Sequence, residues 1–117
     1  EGFGLTLADA MAIGLPVIAT GYSGNLDFMP PGSAALIPWK PITIQRTCGD
    51  YVAGAIWAEP DCNAAASAMQ QLASNREAAT QLGARGQSAV HERLSSSRLE
   101  GIVRQRLGRW LLNSLNN

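Results

Sequence analysis

Two short apolar runs that do not alternate, Pro16–Thr20 (PVIAT) and Ser33–Pro38 (SAALIP), constrain this chain most. A strand with one face in water alternates apolar and polar residues. A strand covered on both faces reads as a continuous apolar run, so both segments belong in a covered parallel sheet. Before the first lies Leu5–Ile13 (LTLADAMAI), rich in helix formers and apolar on nearly every face, the pattern of a helix packed in an interior. Gly14 stops that helix and Pro16 follows it. The order helix, strand, turn, strand, helices reads as α/β. Two or three strands do not complete a doubly wound sheet, so the chain reads as the back half of one. Its first residue, Glu1, already sits inside a motif, as in a piece of a longer chain.

After the first strand, Gly21–Gly24 is a Gly/Ser turn, and Asn25–Met29 forms one helical turn stopped by Pro30-Pro31-Gly32. Between Trp39 and Pro60 the pattern loosens. Ile42 and Ile44 alternate with Thr43 and Gln45, and Gly54–Trp57 is a second extended run. A hairpin around the turn Cys48-Gly49-Asp50 accounts for both. Asp61 or Asn63 caps a helix through about Ala73, with Ala65, Met69 and Leu72 on one face. A second helix runs from Asn75 to about Leu94, weakened by Gly83 and Gly86. Ser97 and Glu100 form a capping box for the last helix. That helix carries Leu99, Ile102, Val103, Leu107, Trp110 and Leu111 as one stripe, with Arg98, Arg104, Arg106 and Arg109 mostly off it.

Composition excludes several classes. At 117 residues, 46% hydrophobic and 15% charged, the chain is too apolar for a disordered tail. No apolar stretch approaches the roughly 20 residues of a membrane span, and no secretory signal is visible. Net charge is zero, with −4 over residues 1–63 and +4 over 64–117. That balance argues against a nucleic-acid partner, which needs a basic surface. Cys48 and Cys62 lack companion histidines at metal-ligand spacing, so no metal site is expected. Buried or half-buried free thiols are the simpler expectation. His91 lies in a polar helical stretch and reads as solvated.

The chemistry concentrates at the amino end. Glu1-Gly2-Phe3-Gly4-Leu5-Thr6 runs straight into the first helix. Two glycines one residue apart let the backbone turn tightly against a ligand, and the helix behind them offers amides and a positive dipole end to phosphate. Glu1 before the glycines and Asp9 one turn into the helix can each accept hydrogen bonds from sugar hydroxyls. Two carboxylates bracketing an anion-binding backbone suit a nucleotide sugar. Asp9 has a competing structural role, because Thr6-x-x-Asp9 also fits a capping box. Tyr22 and Asn25 lie at the carboxyl end of the PVIAT strand, where open α/β sheets bind ligands. They reach a donor or simply shape the turn. Tyr51, Trp39 and Trp57 line a ligand edge or anchor a loop.

The segment EGFGLTLADAMAIGLPVIAT resembles the donor-site segment of GT-B glycosyltransferases of family 4, E-G-F-G-x-x-x-x-E-A-M-A-x-G-x-P-V-I-A-T. The match runs about twenty residues without a gap. GYSGNLDFM (Gly21–Met29) and WAEPD (Trp57–Asp61) more loosely resemble blocks downstream in one bacterial branch of that family. The resemblance implies that Glu1 contacts the transferred sugar and is the catalytic acid of the motif. It implies that the glycine segment Gly2, Phe3, Gly4, Leu5 and Thr6 faces the sugar and diphosphate, and that Asp9 binds ribose hydroxyls. Asp9 departs from the family's Glu, which brings the carboxylate one methylene nearer the backbone.

On this reading residues 1–117 are part of a Rossmann-like donor-binding domain followed by terminal helices. The parent enzyme is a retaining hexosyltransferase. It takes a nucleotide diphosphate sugar as donor, with no cofactor or metal, and a glycan, lipid-linked or protein acceptor. An Arg/Lys pair and an acceptor domain would lie ahead of Glu1, so the piece alone is expected to be inactive. The expected location is cytoplasmic, with membrane contact at most peripheral at the inner face. Two other classes stay open: a non-catalytic nucleotide-sugar-binding module, and a structural remnant whose last helices make protein contacts.

Overall fold

The computed structural model describes residues 2–115, with side chains described as far as residue 108. It is a mixed α/β chain with two small sheets and four α-helices among the described residues. Helix α1 (Leu5–Ala12) leads into strand β1 (Ile18–Thr20), which pairs in parallel with β2 (Ala35–Ile37) in the register Ile18 to Ala35, Ala19 to Leu36 and Thr20 to Ile37. A 3₁₀ turn, Ser23–Asp27, connects them, starting two residues before the expected helical turn. Strands β3 (Trp39–Thr43) and β4 (Ile56–Pro60) form the antiparallel hairpin, closed at its tip by the Cys48–Tyr51 bridge around Gly49 and Asp50. Helices α2 (Cys62–Ser74), α3 (Arg76–Arg93) and α4 (Ser96–Leu115) complete the chain.

The core lies where α1 meets α3 and the short turn. Met11, Phe28 and Met29 are fully buried there, with Ala8, Val17, Ala34, Ala89 and Val90 around them. The glycines of α3 make this packing possible. A Cβ on Gly83 would overlap the Gly14 carbonyl, and one on Gly86 would stand 2.9 Å from the Ser33 carbonyl. What reads in the sequence as a weak point of the helix is its closest approach to the core. Side chains of α3 add polar ties: Gln87 donates to the Ala12 carbonyl (2.9 Å), Arg85 to Gly32 (2.7 Å) and Arg93 to Asp27 (3.3 Å).

Capping follows the sequence at two helices and departs from it at a third. Asp61 accepts from the Asn63 and Ala64 amides at the start of α2, and Asn75 from Ala78 at the start of α3. The Ser97–Glu100 box does not form. Ser95 instead accepts from the Arg98 amide (3.3 Å), while Glu100 pairs with Arg104 at 2.7 Å. The helix begins at Ser96, two residues earlier than the box requires, so Ser97 is already inside it.

Burial corrects three further expectations. Helix α1 is buried on one side only, leaving Leu5 and Ile13 exposed, because no described element covers that flank. On α2 the half-buried positions are Ala64, Ala65, Ala68 and Leu72, while Met69 is exposed. Cys48 and Cys62 are free but exposed, because one sits at the hairpin tip and the other in the first turn of α2. Helix α4 exposes Leu99, Ile102, Val103 and Leu107. The side chains of Arg109, Trp110 and Leu111 lie outside the described residues. A radius of gyration of 18.4 Å, against about 13 Å for a compact chain of this length, expresses the same openness.

Candidate functional site

The glycine segment owes its course to Gly4. That residue caps α1 with φ +90, a left-handed conformation that side chains rarely adopt, and a Cβ there would stand 3.3 Å from the Leu7 side chain. A left-handed residue followed by helical ones is an arrangement in which successive amides converge on an anion. The first intrahelical bonds run from Leu7 and Ala8 to the Gly4 carbonyl (3.1 and 3.0 Å), so the Leu5 and Thr6 amides precede them. No side chain caps this end. The capping box read from Thr6 and Asp9 is therefore not made. Asp9 is exposed, and no hydrogen bond or ion pair ties its carboxylate to a described residue.

The segment is pressed against the loop that follows β1. A Cβ on Gly24 would overlap the Gly2 carbonyl, and Phe3 packs on Phe28 with ring centroids 5.0 Å apart. Ser23 beside it holds φ +73, a strained conformation for a residue with a side chain. Asn25 is buried, and its amide donates to the Thr20 carbonyl (3.0 Å) and to the Met29 sulfur (3.4 Å). It fastens the loop to the carboxyl end of β1.

These elements form one wall of a cleft of about 690 Å³, a size typical of ligand sites. Thr6 and Leu7 of α1, the residues of β1, and Tyr22, Ser23 and Asn25 line that wall. The hairpin supplies the other, through Asp50, Tyr51, Trp57 and their neighbours. Trp39 joins the two. Its indole donates to the Gly21 carbonyl at 2.8 Å and its ring packs edge-on against Tyr22, centroids 4.7 Å apart. Of the three aromatics, Trp39 is thus the anchor, while Tyr51 and Trp57 line the cleft.

The sequence-predicted residues separate accordingly. Thr6, Tyr22 and Asn25 reach the cleft. Gly2, Phe3, Gly4 and Leu5 build the turn behind it, and Asp9 lies on the helix outside it. Glu1 lies outside the described residues. Asp50 on the opposite wall was not singled out, and its one sequence signal is an acid beside a hairpin glycine. His91 is exposed and distant from these elements in the chain. Among the described residues no group of three or more potential metal ligands gathers, and no helix is long and apolar enough to cross a membrane.

Fold and site together define a mixed α/β chain with a cleft between α1, β1 and the loop after it on one side and the β3–β4 hairpin on the other. Comparison with protein-family models, with curated proteins and with solved structures finds no match.

Proposed function

We propose that this chain is the nucleotide-sugar-binding part of a retaining glycosyltransferase of GT-B architecture. The observation that carries the reading is the Gly2–Thr6 turn, which enters α1 beside a cleft at the carboxyl end of β1. In this reading the Leu5 and Thr6 amides and the dipole of α1 hold the diphosphate and stabilise the charge it gains on departure. Glu1, placed by the motif just ahead of the turn, holds the transferred sugar through its hydroxyls. Asp9 is assigned the ribose diol by the motif alone, since it stands on the next turn of α1 outside the cleft lining. The Rossmann-like sheet would extend beyond β1 and β2, and the Arg/Lys pair and acceptor domain belong to the rest of the parent enzyme.

Binding of UDP and GDP, each with and without its sugar, tests this by calorimetry. Asp9 sharpens the test, because it caps nothing. Asp9→Ala is expected to lower nucleotide affinity by about 1.5–3 kcal/mol, the worth of a hydrogen bond to a charged group. It is expected to change stability by less than about 0.5 kcal/mol, as for an exposed unpartnered side chain. In the full-length enzyme, Glu1→Gln lowers turnover far more than binding of the free nucleotide. Failure of every nucleotide to bind rejects the reading.

A further inference from the structure

The hairpin wall of the cleft has chemistry that the nucleotide reading does not use. Tyr51 and Trp57 stand with ring centroids 4.6 Å apart and planes at 86°, forming a right-angled corner. Both rings line the cleft, and they remain 53% and 41% exposed. Neither belongs to the buried core, so core packing does not account for them. The tip that carries Tyr51 is held by reciprocal backbone bonds with Cys48 (2.9 and 3.1 Å) and by the Ala53 amide on the Thr47 hydroxyl (3.1 Å). The backbone beneath the corner is therefore held by local hydrogen bonds. Asp50 adjoins it and is the one charged residue among the described residues lining the cleft.

We propose that Tyr51, Trp57 and Asp50 form a binding site for a neutral carbohydrate ring, such as a hexoside or a short neutral glycan. The C–H face of a pyranose stacks on an aromatic ring while its hydroxyls donate to a neighbouring carboxylate. Aromatic rings offer this contact area at little cost in conformational freedom. Charge decides against an anionic ligand at this wall. Asp50 is the one charged residue among the described residues of the hairpin that line the cleft, and at this wall it would repel a phosphate or an acidic sugar. The proposal rests on the hairpin alone and does not require the nucleotide assignment.

The test titrates the full chain with methyl α-D-glucopyranoside, methyl α-D-mannopyranoside and maltotriose. Saturation-transfer NMR and tryptophan fluorescence are the readouts. At least one glycoside is expected to bind, with its ring C–H protons receiving saturation. Tyr51→Ala and Trp57→Ala are expected to weaken it about tenfold, Asp50→Asn about three- to tenfold, and Trp57→Phe, which keeps a ring, by less than about threefold. Glu100→Gln, on α4 and away from the hairpin, is expected to leave affinity unchanged. Tyr51→Ala, at the exposed tip, reads the site even if Trp57→Ala unfolds the hairpin. The proposal is overturned if no glycoside binds, or if Tyr51→Ala binds as the parent chain does. It is equally overturned if UMP or GMP, and not a glycoside, makes the Tyr51-dependent contact. Separate titration with UDP keeps the two readings apart, since a chain that binds UDP but no glycoside rejects the carbohydrate site alone.

Discussion

The two walls of the cleft are built by opposite means. The wall of α1, β1 and the loop after it stands on a core that completely buries Met11, Phe28 and Met29. The β3–β4 hairpin has one buried residue in its strands, Ala58, and holds its shape through ladder and tip hydrogen bonds. The first wall is fixed by burial, the second by local backbone bonding and the Trp39 anchor. A ligand between them would therefore meet one side that resists displacement and one that yields at lower cost, as binding elements commonly do.

Substitutions can break or sharpen that contrast. The largest effect is expected at Phe28. Phe28→Ala opens a cavity in the rigid wall and should cost about 3–5 kcal/mol. Ile56→Ala on the hairpin, where Ile56 is 70% exposed, should stay within about 0.5 kcal/mol. Urea unfolding of both variants measures the difference, and equal losses would erase the distinction between the walls. Next comes Gly83→Ala. In an open helix this change stabilises, but here the new methyl meets the Gly14 carbonyl, so a loss of about 1–3 kcal/mol is expected. A rise in melting temperature would mean that α3 does not approach α1 so closely.

Trp39→Phe removes the bond to Gly21 while keeping most of the ring, and should cost about 0.5–1.5 kcal/mol. Hydrogen exchange should rise in the hairpin amides and remain unchanged in α1; a uniform rise would deny Trp39 its anchoring role. The smallest effect is expected at Glu100. Its pair with Arg104 is exposed on a helix with no buried residue among its described side chains, so Glu100→Gln should change stability by about 0.3–0.5 kcal/mol. The helix signal of α4 in circular dichroism is the readout.

Local signals in the chain were legible where the physics is local. Gly14 ending α1, Asp61 and Asn75 capping their helices, and the Cys48–Asp50 turn closing the hairpin each depend on a few neighbouring residues. Period and run length likewise marked β1 and β2 as parallel partners. The failures share a cause. Ser97–Glu100 matched a capping pattern, but the helix start is set by where the chain leaves α3, and Ser95 stands at that point. The apolar residues of α1 predicted cover on all sides, whereas cover depends on which elements arrive.

At the candidate site, local residue patterns suffice for the glycine turn, the helix behind it and the strand beside it. Those follow from allowed backbone angles, the loss of an amide at proline and an unbroken apolar run, although β1 is half-buried and not covered on both faces as its run implies. Long-range packing makes Gly83 and Gly86 contact points and not weaknesses, because a glycine's value there lies in a carbonyl from a distant segment. It alone separated Trp39, which anchors, from Tyr51 and Trp57, which face the cleft. The three aromatics carry much the same local signal. What distinguishes them is the partner within reach, and that is set by how the hairpin folds over β1.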